Sequence, residues 1–140
     1  IVIRARPKYC VDWDGVCGEE RREDGSIWWP EIGPWLPGAV EGLRALSDDG
    51  LTVICSTRFN VLEYDQQYPR PAADVNRDIL AIRERLDAAY LQDVLVYEPQ
   101  WGKPPADVYI DERGLRHAGW FTTLLTLGMN EAAYEVRASR

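Results

Sequence analysis

Two carboxylates stand two residues apart near the start of the chain, where Asp12 and Asp14 follow the run Tyr9 to Val11. In a β-strand alternate side chains point to the same face, so both carboxylates would lie together at the strand's carboxyl end. Two negative charges this close repel each other unless a cation or a proton lies between them. The pair therefore indicates a bound metal or a shared proton. The other interpretation is a strand that runs into an Asp-Gly turn at Gly15.

Other polar residues that could take part in chemistry follow apolar runs elsewhere in the chain. They are Ser56 and Arg58 after the run 51–55, Asp111 and Glu112 after the run 108–110, and Lys103 in the loop before that run. Carboxylate oxygens are the ligands that Mg²⁺ prefers. A lysine and a hydroxyl can hold phosphate oxygens and neutralise the charge that develops during transfer. The set predicts Mg²⁺-dependent phosphoryl transfer, in which one carboxylate attacks phosphorus and a second moves the proton.

Alternating elements would position these residues. The patterns predict strands at 9–13, 51–55, 94–97 and 108–110 and helices at 37–50, 71–90 and 130–138, while 120–127 fits a strand or a helix. Residues 17–36 form an irregular, Trp-rich loop or small flap. This order predicts an α/β fold, a parallel sheet with helices on both faces, and ligands bind such sheets beyond the carboxyl ends of the strands.

The helix at 71–90 has the clearest amphipathic pattern. Its apolar stripe consists of Val75, Ile79, Ile82, Leu86 and Ala89. The face assigned to solvent consists of Arg77, Asp78, Arg83, Glu84 and Arg85.

Length and composition set further limits. The chain has 140 residues, a length typical of a single domain, and a net charge of −7, which disfavours non-specific binding to nucleic acid or to an anionic membrane. It contains no apolar run near the roughly 20 residues that span a bilayer, and we expect a soluble, cytoplasmic protein. The spacing of Cys10, Cys17 and Cys55 fits neither a zinc site nor a disulfide framework, so we expect three reduced cysteines.

The motifs together resemble the haloacid dehalogenase-like superfamily of phosphohydrolases over roughly residues 9–120. Its four motifs occur here in order: Asp-x-Asp-Gly after a strand at 12–15, Ser56 after a strand, Lys103, and the paired acids 111–112 after a strand. As a set the motifs are specific, although each alone is weak. Pro30-x-Ile32-Gly33 and the phrase Lys-Pro-x-Ala-Asp-x-Tyr-Ile-Asp-x-Arg at 103–113 are similar to a small subgroup that lacks a large cap domain.

The resemblance implies a Rossmann-like fold with a flap in place of a cap. It implies that Asp12 is the nucleophile and a metal ligand, and that Asp14 is the general acid and base and offers a backbone carbonyl to Mg²⁺. By the same resemblance Asp111 is the second carboxylate ligand, while Ser56 and Lys103 bind the phosphoryl group.

Four features leave alternatives open. Glu112 stands where the subgroup has Asp, so it is either a metal ligand or a group that orients metal-bound water. Arg58 either contacts the substrate phosphate or forms a structural ion pair. His117 is either catalytic or packed, and we favour packing. The tryptophans at 28, 29 and 35 form either the core of the flap or a lid over the substrate.

We therefore expect a phosphatase that cleaves a small phosphomonoester through an aspartyl-phosphate. A small substrate needs a covered site rather than an open one, so we expect the flap, with residues 26–35 folding toward Asp12, to cover it, together with a neighbouring subunit if the protein is a homo-oligomer. The alternatives are a nucleic-acid end phosphatase, which the acidic charge disfavours, and a binding or structural protein of the same fold without turnover.

Overall fold

Five β-strands and four α-helices are formed by the residues that the structure, a computed structural model, describes, namely 6–59, 70–97, 104–111, 115–117 and 119–138. The strands are β1 (Lys8–Val11), β2 (Leu51–Ile54), β3 (Leu95–Val96), β4 (Val108–Asp111) and β5 (Leu115–Arg116). The helices are α1 (Ala39–Asp49), α2 (Ala72–Ala88), α3 (Trp120–Thr126) and α4 (Asn130–Ala138). Strands and helices alternate over most of the chain, which confirms the predicted α/β class.

The sheet has the strand order β3-β2-β1-β4-β5, and its neighbouring strands pair in parallel. β1 is central, and its register pairs Val11 with Ile54 of β2 and with Ile110 of β4. These three side chains are fully buried, as expected for the inner strands of a parallel sheet. The residues that follow them consequently reach the same edge of the sheet.

The two longest helices confirm the predictions made from their apolar patterns. α1 begins after Gly38, whose φ of 81° suits a residue without a side chain, and buries Leu43 and Leu46. α2 buries Val75, Ile82 and Leu86, as the stripe predicts. Its polar face is not wholly solvated, however: Asp78 is buried, so the prediction of an exposed position is wrong. Asp78 lies three residues after Val75 and four before Ile82, on the same face as the stripe.

The ambiguous stretch near the carboxyl terminus is helical and forms α3, which packs with α1 and α4. Trp120 is fully buried at the start of α3, and its indole Nε1 donates to the backbone oxygen of Val16 at 3.0 Å. The same ring lies so close to Gly42 of α1 that a Cβ there would overlap it. Close packing of Trp120 on Gly42 thus determines how near α3 lies to α1.

A disulfide joins the two inner strands β1 and β2. Cys10 and Cys55 are bonded, with their Cα atoms 6.3 Å apart, whereas Cys17 is a free, buried thiol. The expectation of three reduced cysteines is therefore wrong for Cys10 and Cys55. Register explains the difference: Cys10 pairs with Val53, and Cys55, two residues further along and just after β2, lies close to Cys10 although 45 positions separate them in the chain.

Residues 17–36, between β1 and α1, fold back on themselves. Backbone hydrogen bonds join Glu19 N to Pro34 O at 2.8 Å and Leu36 N to Cys17 O at 2.8 Å, and a bridge pairs Arg21 with Ile27. The base of this segment packs through Trp35 on the buried Trp13, with ring centroids 5.1 Å apart. Aromatic contact therefore anchors the segment next to the carboxyl end of β1.

None of the described helices combines the length and the apolar composition that crossing a bilayer requires.

Candidate active site

Asp12 follows the central strand, at the edge where the sheet ends. Its backbone N–H donates to Ile110 O of β4 at 3.1 Å, which extends the strand pairing by one residue. Its carboxylate Oδ1 accepts a hydrogen bond from the N–H of Trp13 at 2.8 Å. This bond to the next residue fixes the direction of a half-buried carboxylate at the middle of the edge.

Asp111 ends the neighbouring strand β4 and is 7% exposed. Because Val11 pairs with Ile110, the next residues of the two strands, Asp12 and Asp111, stand at adjacent positions on the edge. Two predicted metal ligands are thus brought to neighbouring strand ends. Hard carboxylate oxygens of this kind, together with water and phosphate, fit the ligand preference of Mg²⁺.

Ser56 stands at the end of β2, on the other side of β1. Its hydroxyl accepts from the N–H of Arg58 at 3.2 Å, and its carbonyl accepts from the N–H of Phe59 at 3.0 Å. These bonds form the 3-10 turn Thr57–Phe59, which follows β2. A hydroxyl that accepts one bond can still donate its own proton, so Ser56 keeps the capacity to bind an anion.

Asp14 forms a bidentate ion pair with Arg58. Arg58 Nε donates to Asp14 Oδ2 at 2.7 Å and Arg58 Nη2 donates to Asp14 Oδ1 at 2.9 Å. The guanidinium is 0% exposed and the Asp14 side chain is 21% exposed. Of the two alternatives for Arg58, the ion pair is the arrangement that the contacts display, and phosphate contact stays a prediction.

Cys17 is a buried thiol next to the backbone of Asp12. Its thiol donates to the backbone oxygen of Asp12 at 3.4 Å. Burial, followed by the negative charges of Asp12 and Asp14, raises the pKa of this thiol well above its usual value. Cys17 consequently stays protonated.

His117 lies beyond β5 and is engaged in packing contacts. Its Nδ1 is 2.8 Å from the Thr123 hydroxyl, and its ring meets the Trp120 ring edge-on at a centroid distance of 4.9 Å. Burial lowers the pKa of the imidazole, so the ring is neutral at neutral pH. These contacts agree with the packing interpretation that we favour for His117.

A recess of about 560 Å³ lies next to Gly15, the residue after Asp14. Its walls come from the turn after β1, the approach to α1 and the start of α3. The lining residues are Gly15, Leu36, Pro37, His117, Gly119 and Trp120. The recess is predominantly apolar, so it could accept the organic part of a ligand whose charged part lies at the strand ends.

Two predicted site residues, Lys103 and Glu112, lie outside the described residues, and their roles stay predictions. Among the residues that the structure does describe, no three His, Cys, Asp or Glu side chains come together as a possible metal site.

The sequence reasoning missed two buried charged residues behind Arg58. Asp78 Oδ2 accepts from Arg58 Nη1 at 3.3 Å and from Arg70 Nη1 at 2.5 Å. Asp78 and Arg70 are 3% and 8% exposed. The position of Asp78 within the apolar stripe of α2 was a signal, since a buried carboxylate requires a cationic partner.

The tryptophans of the 17–36 segment were predicted to form either the core of the flap or a lid over the substrate, and they do not all make the same kind of contact. Trp35 packs on the core residue Trp13, whereas Trp29 is 41% exposed and lies beneath the guanidinium groups of Arg58 and Arg70, 4.4 and 4.5 Å from their carbons. Trp28 stacks on Arg22 at 4.3 Å. Cation–π contacts thus attach the middle of the segment to the Arg58 cluster.

Comparisons with family models, with curated proteins and with solved structures gave no match to this chain.

Proposed function

We propose that this chain is a Mg²⁺-dependent phosphatase that hydrolyses a small phosphomonoester and belongs to the haloacid dehalogenase-like superfamily. One observation carries the proposal: the adjacent parallel strands β2, β1 and β4 bring Ser56, Asp12 and Asp111 to one edge, with Asp14 beside them. A nucleophilic carboxylate, a second carboxylate for proton transfer, a cation ligand and a phosphate-binding hydroxyl are what phosphoryl transfer through an enzyme carboxylate requires.

The reaction has two steps. Asp12 attacks phosphorus, the bond from phosphorus to the leaving oxygen breaks, and that oxygen keeps the electron pair and takes the proton of the Asp14 carboxyl group. Water then attacks the aspartyl-phosphate and gives a proton to the Asp14 carboxylate. The bond from phosphorus to the Asp12 oxygen breaks, which releases phosphate and restores both side chains.

The donor set fits a magnesium ion. Asp12, Asp111 and the backbone carbonyl of Asp14 would hold it, with Glu112 as a further ligand or as a group that orients its water. When bound, Mg²⁺ supplies positive charge against the phosphate oxygens. Ser56 and Lys103 bind the same oxygens from the protein side.

The fold would be Rossmann-like, with residues 17–36 as a flap in place of a cap domain. The flap, and a second subunit if the protein is a homo-oligomer, would exclude water from the strand ends and so strengthen the electrostatic interactions there. A cytoplasmic location stays a prediction, and the Cys10–Cys55 disulfide argues against it, because disulfides are rare in reducing compartments.

The test is a hydrolysis screen of phosphorylated metabolites with purified protein, with Mg²⁺ and with chelator. We expect phosphate release from at least one small phosphomonoester, lost in chelator and in the Asp12→Asn variant. A preference for nucleic-acid ends over every small compound would favour the end-phosphatase alternative. Absence of release from every compound, including nucleic-acid ends, would favour the binding-protein alternative.

A further inference from the structure

We propose that Arg58 is a positioning residue that orients the Asp14 carboxylate for proton transfer, and that Asp78 in turn holds Arg58 in place. The inference depends on the proposed phosphatase function, and it assigns the buried cluster of Arg58, Asp78, Arg70 and Trp29 to that function. Three observations support it. The N–H donors of Arg58 all have acceptors, the buried charges of the cluster are paired, and the Asp14 carboxylate stays partly exposed.

All five N–H groups of Arg58 have protein acceptors. Nε and Nη2 bind the two oxygens of Asp14, while the remaining donors bind Pro30 O at 2.8 Å, Glu31 O at 2.7 Å and Asp78 Oδ2 at 3.3 Å. A guanidinium has five donors in a rigid plane, so this one is saturated. Its orientation is consequently fixed from several directions at once.

The buried charges of the cluster are matched among the residues that the structure describes. Arg58 and Arg70 bring two positive charges, Asp14 and Asp78 bring two negative charges, and the exposed Arg77 also reaches Asp78 at 3.7 Å. A buried cation is stable only when it is paired and hydrogen-bonded. Asp78 is therefore needed in addition to Asp14, because it is the carboxylate that accepts from both buried guanidinium groups.

The ion pair leaves Asp14 able to react. An ionised carboxylate offers about four lone-pair sites, of which the fork of Arg58 uses two. The Asp14 side chain is 21% exposed while Arg58 is enclosed, so part of the carboxylate stays accessible from outside the cluster. A bidentate contact fixes both side-chain torsions of Asp14, and proton transfer depends on such placement.

This role predicts an effect that depends on the leaving group. Para-nitrophenyl phosphate releases a stable anion and needs little protonation, whereas benzyl phosphate, with a ring of similar size, releases an alkoxide that must be protonated. A displaced Asp14 should therefore reduce kcat for benzyl phosphate far more than for para-nitrophenyl phosphate. General acid catalysis contributes about a hundredfold or more to the rate. The loss of kcat should therefore be larger for benzyl phosphate than for para-nitrophenyl phosphate by a factor of this order.

The experiment compares wild-type protein with Arg58→Lys and Asp78→Asn on both esters, with Mg²⁺ present. Lysine keeps the positive charge but cannot bind two oxygens in one plane, so we expect a loss of about a hundredfold for benzyl phosphate and about tenfold or less for para-nitrophenyl phosphate. Asp78→Asn should show the same split with smaller losses, because Arg58 keeps its bonds to Asp14. Thermal unfolding and near-ultraviolet circular dichroism check that each variant is folded.

The results separate the two proposals. Equal losses on both esters in a folded Arg58→Lys variant, or activity fully retained by lysine, would overturn the positioning role while the phosphatase function stands. Wild-type protein that hydrolyses neither ester overturns the phosphatase function for such substrates and, with it, the role of Arg58. If Arg58→Lys does not fold, Asp78→Asn decides by the same split.

Discussion

Replacing the Asp12 carboxylate by an amide in Asp12→Asn removes the proposed nucleophile and one negative charge while keeping the side-chain volume. An asparagine oxygen can still accept the hydrogen bond from the Trp13 N–H, so the strand end should keep its shape. We expect phosphate release to fall by at least about a thousandfold with an unchanged unfolding temperature. Asp93→Asn, at an exposed position outside the site, is the matched control and should keep full activity. Near wild-type turnover by Asp12→Asn would refute the assignment of Asp12.

The types of the site residues could be predicted from the sequence, but their partners could not. Asp12, Ser56 and Asp111 each follow an apolar run, and parallel pairing is enough to bring such strand ends together. The bond between Asp14 and Arg58 joins residues 44 positions apart through a turn and a 3-10 turn, whose geometry no periodic pattern encodes. Local patterns thus indicate which groups reach the edge, whereas tertiary packing decides which of them form pairs.

The helices and strands, like the site residues, were predictable where a local pattern repeats and were missed where tertiary packing decides. α1 and α2 were predictable because each repeats its apolar residues over three or more turns. β5 was missed because its two residues, Leu115 and Arg116, are too few to show alternation, whereas the equally short β3 lies within the longer apolar run 94–97. The disulfide was missed because the relative register of β1 and β2 is a property of the assembled sheet.

The packing of α3 on α1 gives a test at Gly42. Alanine normally favours a helix interior over glycine by about 1 kcal/mol, but a Cβ at Gly42 would overlap the Trp120 ring. We expect Gly42→Ala to reduce the free energy of unfolding by about 1–3 kcal/mol, measured by urea denaturation. Asp48→Ala, at an exposed position of the same helix, should leave stability nearly unchanged or slightly higher. An increase in stability for Gly42→Ala would contradict the close contact of the two helices.

The disulfide between β1 and β2 gives a second test of the elements. It closes a loop of 45 residues, and restricting the unfolded chain in this way contributes about 4 kcal/mol in the loop-entropy treatment. We expect the double variant Cys10→Ala/Cys55→Ala to lose roughly 2–4 kcal/mol relative to the oxidised protein. In reductant, the wild type should lose most of this advantage. If alkylation of the unfolded protein without reductant modifies three cysteines rather than Cys17 alone, the disulfide assignment is wrong.

Across the whole molecule, residues 17–36 are attached to the body at several places. Trp35 packs on Trp13, Arg58 binds the carbonyls of Pro30 and Glu31, and Arg85 donates to the carbonyl of Gly33. The exposed turn at residues 23–25 makes none of these contacts and is held by local hydrogen bonds, Gly25 N to Arg22 O and Ser26 N to Asp24 Oδ1. The attached middle and the free tip of the proposed flap can therefore be altered separately.

This separation allows the covered-site interpretation to be tested. Replacing residues 28–31 by a Gly-Ser linker of equal length removes the Trp29 ring, and with it the cation–π contacts to Arg58 and Arg70. Replacing residues 23–25 in the same way alters only the exposed tip and keeps the contacts of Arg22 with Trp28 and Glu31. If the flap excludes water from the strand ends, the first variant should lose about tenfold or more in kcat/KM on small phosphomonoesters, while the second stays close to wild type. Mg²⁺ affinity, measured by calorimetry, should change little in either variant, because the carboxylates proposed as ligands lie at the ends of β1 and β4 rather than in the replaced segment. Unchanged activity in a folded 28–31 variant would mean that small substrates are hydrolysed at an open edge, and the flap would then serve only to hold Arg58.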